Sequence, residues 1–332
     1  MGGSALKNIE TKRLDTKEFE ELKNELISKL EYEFMTNLYP LKYYYEKQDH
    51  GDLDILIKIP FINDNRIESI LYDKFLCNEV VHNGGCYSFD YKEFQIDLIL
   101  TEEKYWEIAK IFYDFNDWGI FAGRIANSIG LKFGYEGLKY VLYSEDKSEK
   151  LKKIHLTSNI KKIFYILGLD YEKYLKGFKN LDEMFTYFAY SKRFYKKLGT
   201  LGFLNSDQRH RDKKRKNIKA FEKWLENKND IPDNNEKYSF EKTIDLIDKE
   251  FPEIKIKTIV EKEYKKLEIK KKISEKFNGT IVMKIFPNLS GEALGKSLNK
   301  FKYILDNDYS NFILNNDLET ILNKFKEING LP

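Results

Sequence analysis

The sequence predicts an α+β fold: a mixed sheet with flanking helices, followed by mostly helical domains. Three observations carry this expectation. Short runs rich in β-branched and aromatic residues cluster in the first 145 positions. Between them lie segments whose apolar residues recur at helical spacing. Beyond a charged stretch at 144–153 the helical spacing takes over almost completely.

The elements follow in order. Asp15-Thr16-Lys17-Glu18 opens a helix whose apolar face is Phe19, Leu22, Leu26, Leu30 and Phe34. Tyr43, Tyr44 and Tyr45 suit a strand leading to Gly51, with base stacking as one use of a ring and core packing as the plainer one. Residues 52–57 form an apolar strand carrying Asp52 and Asp54, and Pro60 is expected to end its pairing. Residues 67–75 read as a helix, and 79–89 as a hairpin turned at Asn83-Gly84. A second apolar strand, 94–100, is interrupted by Asp97. Thr101 is expected to cap the next helix, with Glu102 and Glu103 in its first turn. In the helix after it, Gly119, Ala122, Gly123 and Ala126 form a small-residue face, and Arg124 is the only charge between Asp117 and Lys132.

Residues 131–140 read as a glycine-turned hairpin, and 144–153 as a linker. Helices are expected at 159–167, 171–177 and 182–190, a second linker at 227–237, and Lys/Glu-rich helix from 239 to 277. Residues 280–286 read as a short strand, Ser290 as an N-cap, and Gly291 and Gly295 as a close-packing helix face. The last helix ends at Asn329-Gly330. The expected domains are 1–145 (catalytic), 146–230 (helical, with a basic cluster) and 231–332 (mostly helical).

The chemistry concentrates in His50-Gly51-Asp52-Leu53-Asp54. A strand alternates faces, so Asp52 and Asp54 point the same way. Two like charges on a half-buried surface repel, and a cation is needed to hold them. Mg²⁺, or Mn²⁺, matches a set of oxygen donors. Gly51 permits close backbone approach at the strand's start. If the Asp97 strand pairs alongside, three carboxylates converge, a constellation suited to metal-assisted chemistry on a nucleoside triphosphate. A solvated strand end is the bland alternative for the Asp-x-Asp pair.

Gly-Asp-Leu-Asp followed by a strand with a third Asp resembles the DNA polymerase beta-type nucleotidyltransferase superfamily. That superfamily includes poly(A) polymerases and tRNA nucleotidyltransferases. The resemblance spans roughly the first half of the chain and implies a small mixed sheet with Asp52, Asp54 and Asp97 as catalytic metal ligands. The superfamily's Gly-Ser pair, which cradles the triphosphate at a helix start, is missing; residues 38–49 stand in its place. Lys42, Lys47 or His50 would then supply the phosphate contacts, or triphosphate binding is altered. A divergent viral or phage-type branch is similar in its Lys-x-x-(His/Phe)-Gly-Asp-x-Asp arrangement, matched here by Lys47, His50, Gly51, Asp52 and Asp54. It is also similar in a Gly-Arg-Ile-Ala run, here Gly123 to Ala126, and a later Gly-Leu-Lys run, here Gly137 to Lys139. Arg124 and Lys132 are further candidates for nucleotide contact; pairing of Arg124 with Asp117 or Asp97, and solvation of Lys132, are the alternatives.

The chain has 332 residues, with 57 Lys and Arg against 54 Asp and Glu, a net charge of +3. So small an excess means that any nucleic-acid footprint must come from local clustering. One cluster stands out: Arg209, Arg211, Lys213, Lys214, Arg215 and Lys216, with His210 between them and Asp212 the one acid. RNA is the expected partner, with a plain surface helix as the alternative. Cys77 and Cys86 lack metal-ligand spacing and read as reduced packing residues of a cytoplasmic protein. No apolar run reaches membrane-spanning length, and Met1-Gly2-Gly3-Ser4 resembles an expression remnant. The sequence leads to nucleotide addition at an RNA 3′ end. The alternatives are transfer to a protein or small molecule, and a binding module without catalysis. It selects neither the base nor the oligomeric state.

Overall fold

The computed structural model describes residues 5–59, 64–233 and 237–331. The readings of Met1 to Ser4, of Pro60 and of positions 234–236 in the second linker lie outside them. The chain divides into two compact units, Met1–Val141 with Lys153–Leu246, and Leu142–Lys152 with Ile247–Pro332. The helices expected as a separate domain over 146–230 thus belong, from residue 153 onward, to the unit that holds the main sheet.

The first unit begins with β1 (Leu14–Asp15), α1 (Thr16–Phe34), β2 (Leu38–Pro40), β3 (Asp49–His50), β4 (Asp52–Ile59) and α2 (Asp64–Phe75). It continues with β5 (Val80–Asn83), β6 (Cys86–Tyr91), β7 (Phe94–Glu102), α3 (Trp106–Tyr113) and α4 (Trp118–Ser128). The main sheet has five strands in the order β2-β4-β7-β6-β5, with β4 and β7 parallel and the other pairs antiparallel.

Alternation sorts this sheet into two faces. Leu53, Ile55 and Ile57 of β4 and Phe94, Ile96 and Leu98 of β7 join Phe19, Leu22, Leu26, Leu30 and Phe34 of α1 in one buried core, with Ile67, Leu71 and Phe75 of α2. Each such side chain contributes roughly 1.5–3 kcal/mol over staying exposed. The helix is started by Asp15, whose side chain accepts from the Glu18 N–H while Glu18 reaches back, a capping box. On the opposite face Leu56 packs with Trp106 and Ala109 of α3, beside Ile99 and Tyr113. Asp52, Asp54 and Asp97 share that face by the same alternation. Gly119 lets α4 approach α3, because a Cβ there would sit 2.2 Å from the Phe112 carbonyl.

Next come β8 (Lys132–Gly134), β9 (Gly137–Tyr143) and β10 (Lys150–Thr157), in the order β10-β9-β8. The helices α5 (Ile160–Leu167), α6 (Tyr171–Leu175), α7 (Leu181–Ala189), α8 (Lys196–Gly199), α9 (Ser206–Asp212), α10 (Lys216–Glu226) and α11 (Phe240–Glu250) follow. The second unit contains α12 (Ile256–Lys276), α13 (Gly279–Ile285), α14 (Gly291–Leu305), α15 (Tyr309–Asn315) and α16 (Leu318–Asn329). Its core is Phe277, Val282, Leu294, Phe301, Ile313, Ile321 and Phe325. No helix among the described residues is long and apolar enough to cross a membrane.

Six local expectations are corrected. Thr101 caps nothing: β7 runs on to Glu102, where Thr101 stays paired with Lys58 of β4, and α3 begins only at Trp106. Tyr43 to Tyr45 is not a strand, since the Tyr45 and Glu46 N–H groups donate to the Phe178 and Lys179 carbonyls instead of a sheet partner. The stretch 144–153 is a tied turn followed by β10: the Ser144, Ser148 and Asp146 side chains bond to one another. Residues 280–285 are helical, in α13, which the Asn278 side chain caps on the Ile281 N–H. Ser290 makes no side-chain cap bond, and Gly291 and Gly295 face open space, so neither serves close packing.

Candidate active site

The parallel register between β4 and β7 places Asp54 directly beside Asp97 and Asp52 beside Gln95. On the other side of β7, Ser88 of β6 lies opposite Asp97. The Gln95 Nε2 donates to both Asp97 oxygens, at 3.0 and 3.1 Å. All three carboxylates are half-buried. Burial pushes the Asp54 carboxyl well above the usual range, Asp52 and then Asp97 reinforce the rise, and Lys47 opposes it. Burial also lifts Asp97 to about 6; Ser88 opposes that rise, Asp52 adds to it and Gln95 opposes it again.

This donor set fits a hard divalent cation, because every donor is a carboxylate oxygen and the group repels itself. Among the described residues no three His, Cys, Asp or Glu side chains are already closed around a common point. Backbone register brings the three Asp to neighbouring positions, and drawing their carboxylates together costs repulsion that a cation offsets.

In the loop from 41 to 50, Lys47 lies within electrostatic reach of Asp52 and Asp54. Lys47 is half-buried, its Nζ 5.9 Å from the Tyr43 ring centroid. Burial lowers its pKa, while Asp52 and Asp54 pull it back up. The loop is held along its length. The Lys42 N–H donates to Asp114 Oδ1 at 2.9 Å, the Phe115 N–H to the Lys42 carbonyl at 2.9 Å, and the Tyr44 hydroxyl to the Phe115 carbonyl at 3.1 Å. Buried Asp114 also accepts from Tyr39 at 3.1 Å and Tyr174 at 2.8 Å. Lys42 itself is exposed, with its Nζ 5.6 Å over the Tyr174 ring.

His50 is placed differently from the expected phosphate contact. It is 1% exposed, stacked on Phe19 at 3.8 Å and edge-on to Tyr43 at 4.6 Å. Burial first, and Lys47 second, lower its pKa to about 4, so the imidazole stays neutral in the fold. Gly51, also buried, joins it to β4. The unfolded chain takes up the His50 proton from about pH 6.5 downward while the folded chain refuses it until about 4. Stability is therefore intact above pH 6.5 and declines as pH falls toward 4, by about 3 kcal/mol from this residue. His50→Phe is expected to remove that acid-side loss. Urea unfolding of both proteins at pH 4.5 and 7.5 checks it, and an equal acid loss in the two would contradict the assignment.

Arg124 is engaged in a buried ion pair. It is 4% exposed and its Nη2 lies 3.2 Å from Oδ2 of Asp212, which is fully buried. Its Nη1 donates to the Leu198 carbonyl at 3.1 Å. The partner is neither Asp117 nor Asp97: Asp117 takes Arg215 at 2.7 Å and Asn217 at 2.9 Å, and Asp97 lies on the sheet. The phosphate-contact reading of Arg124 is thus corrected, because its guanidinium is committed to a buried pair.

Lys132 is exposed on β8, opposite Lys139 of β9, which itself pairs with Glu136. The basic cluster is exposed around the joint between α9 and α10. Arg211 bonds Asp212 at 2.7 Å, and Arg209 donates to the Leu204 carbonyl at 2.8 Å. Lys213, Lys214 and Lys216 lie on the surface beside them. Sequence reasoning overlooked Ser88 and Gln95. Gln95 was findable, since it lies two residues before Asp97 and therefore on the same strand face; Ser88 depends on the hairpin register.

No family model matches the chain, and no curated protein matches it. Among solved structures, polymerase beta of Leishmania infantum in a ternary complex is similar over 48% of this chain and 74% of that one, at 16% identity and a TM-score of 0.36.

Proposed function

We propose that the chain is a divalent-metal-dependent nucleotidyltransferase that adds nucleotides, without a template, to the 3′ end of an RNA. The observation that carries this reading is the β4–β7 register, which sets Asp54 beside Asp97 with Asp52 two residues away on the same face. Three carboxylates at neighbouring positions repel one another, and a bound cation offsets that cost.

Asp52, Asp54 and Asp97 would hold Mg²⁺ or Mn²⁺, which would supply neutralisation of the phosphates and a lowered pKa for the attacking hydroxyl. In the transfer, the hydroxyl oxygen bonds to the α-phosphorus, the bond to the bridging oxygen breaks, and pyrophosphate leaves. Asp97 takes the hydroxyl's proton. Lys47 faces the patch from the loop and balances charge on the triphosphate. Gln95 and Ser88 orient Asp97. Exposed Lys213, Lys214 and Lys216 offer salt-dependent contacts to the RNA backbone.

The test is incubation with each labelled nucleoside triphosphate, Mg²⁺ and a mixed RNA pool, beside Asp52→Ala. Extension of RNA that disappears in the variant is expected, together with weaker RNA binding when Lys213, Lys214 and Lys216 become Ala. Label on protein or a small molecule instead of RNA would move the acceptor. Turnover retained by Asp52→Ala would overturn the carboxylate site.

A further inference from the structure

We propose that Tyr135, backed by Tyr113, is a stacking platform for an unpaired nucleobase at the edge of the carboxylate face. The proposal rests on the nucleotidyltransferase reading and adds to it the place where a base is held.

Position comes first. Tyr113 ends α3 and packs in the cluster of Leu56, Ile99, Trp106 and Ala109. Leu56 and Ile99 pair across β4 and β7, two residues beyond the Asp54–Asp97 pair and on the same face. Tyr113 therefore stands over the sheet next to the carboxylates. Cys86 of β6, opposite Ile99, lies between them. The electrostatics agree: Tyr113 is pushed up to about 12 by burial, then by Tyr135 and Cys86, and the Cys86 thiol is raised in turn by burial, Asp97 and Asp54.

Tyr135 extends this line outward. Its ring lies 6.3 Å from that of Tyr113, 19° from parallel, with the Tyr105 ring edge-on at 6.3 Å. Yet it is 42% exposed. The uncovered part of the ring is open to a planar ligand. The turn that presents it is rigid. Gly134 pairs with Gly137, Glu136 binds both Lys139 and Lys153, and the Glu136 carbonyl accepts from Ser158 at 3.0 Å. A fixed, exposed aromatic loses little freedom when a base lands on it. The Lys139 ammonium lies 5.9 Å from the Tyr135 ring, with Lys132 opposite in the ladder, so cations flank the platform on the side of the hairpin.

The base comes from the incoming nucleotide or from the acceptor's 3′ end, and fluorescence separates the two. One probe is 2-aminopurine ribonucleoside triphosphate; the other is an oligoribonucleotide ending in 2-aminopurine. Both are titrated in Ca²⁺ against the full chain, Tyr135→Ala and Tyr135→Phe, with Mg²⁺-dependent transfer by the wild type measured in parallel. Tyr135→Ala is expected to lose the quench and to bind one probe roughly 5- to 100-fold more weakly, while Tyr135→Phe keeps both. Loss confined to the triphosphate assigns the incoming base; loss confined to the oligonucleotide assigns the acceptor. Unchanged binding and quench in Tyr135→Ala, or equal loss in Tyr135→Phe, overturns the platform, and wild-type transfer in the parallel Mg²⁺ assay leaves the nucleotidyltransferase reading standing. A wild type that neither binds nor transfers would overturn both.

Discussion

Asp97→Asn is expected to melt several degrees higher than the wild type at pH 8 in metal-free buffer, and to lose Mg²⁺-dependent transfer by about 1,000-fold or more. Both effects have one source. Burial raises the Asp97 carboxyl from 3.8 to about 6 in the fold. The folded chain thus keeps a proton that the unfolded chain has released. This contribution is favourable below about pH 3.8 and is lost as pH rises through about 6, by up to about 3 kcal/mol. Asparagine removes the charge and still accepts from Gln95, so the two proteins should converge near pH 4 and diverge at pH 8. Metal reverses the order, since a cation that binds only the folded wild type stabilises it by mass action. Thermal melts at both pH values, with and without Mg²⁺, check the scheme. A variant less stable than the wild type at pH 8 without metal, or one that retains turnover, would sink it.

The second large effect concerns Arg124. Arg124→Met should cost roughly 3–5 kcal/mol, read as a lower urea midpoint, because it strands a fully buried carboxylate. Asp212 would keep only Arg211, whose side chain is 56% exposed and reaches the other oxygen. The pair is imperfect as it stands: the Arg124 Nε is buried without a hydrogen-bond partner. Replacing both members, Arg124→Met with Asp212→Leu, should therefore recover much of the loss, since the site then holds no ion to desolvate. A near-neutral Arg124→Met, or a double variant worse than either single one, would contradict a buried ion pair.

Much of the first unit is legible in local pattern. The face of α1 is written in five apolar residues at helical spacing, and its start in Asp15 and Glu18. The turn at Asn83-Gly84 announces the β5–β6 hairpin, where Gly84 takes φ +60°. Alternation along β4 already puts Asp52 and Asp54 on one face, opposite Leu53 and Ile55. The stretch 280–286 misleads for the same local reason. Its short apolar run suits a strand as well as a helix, and burial of Val282 beside Phe277 goes with a helix.

What the chain's own order determines, then, is periodicity, caps and turns, because these depend on neighbours within a few residues. The tertiary structure alone decides what meets across long loops. Pairing of β4 with β7, and in parallel, sets Asp54 against Asp97, and a slip of one residue would turn the third carboxylate to the face packed by α1 and α2. Of Lys47 and His50, three residues apart in one loop, packing buries the imidazole on Phe19 and leaves the ammonium facing the acids. Arg124 finds its partner 88 residues away. No local rule encodes such meetings, because they are fixed by which surfaces exclude water together when the whole unit closes.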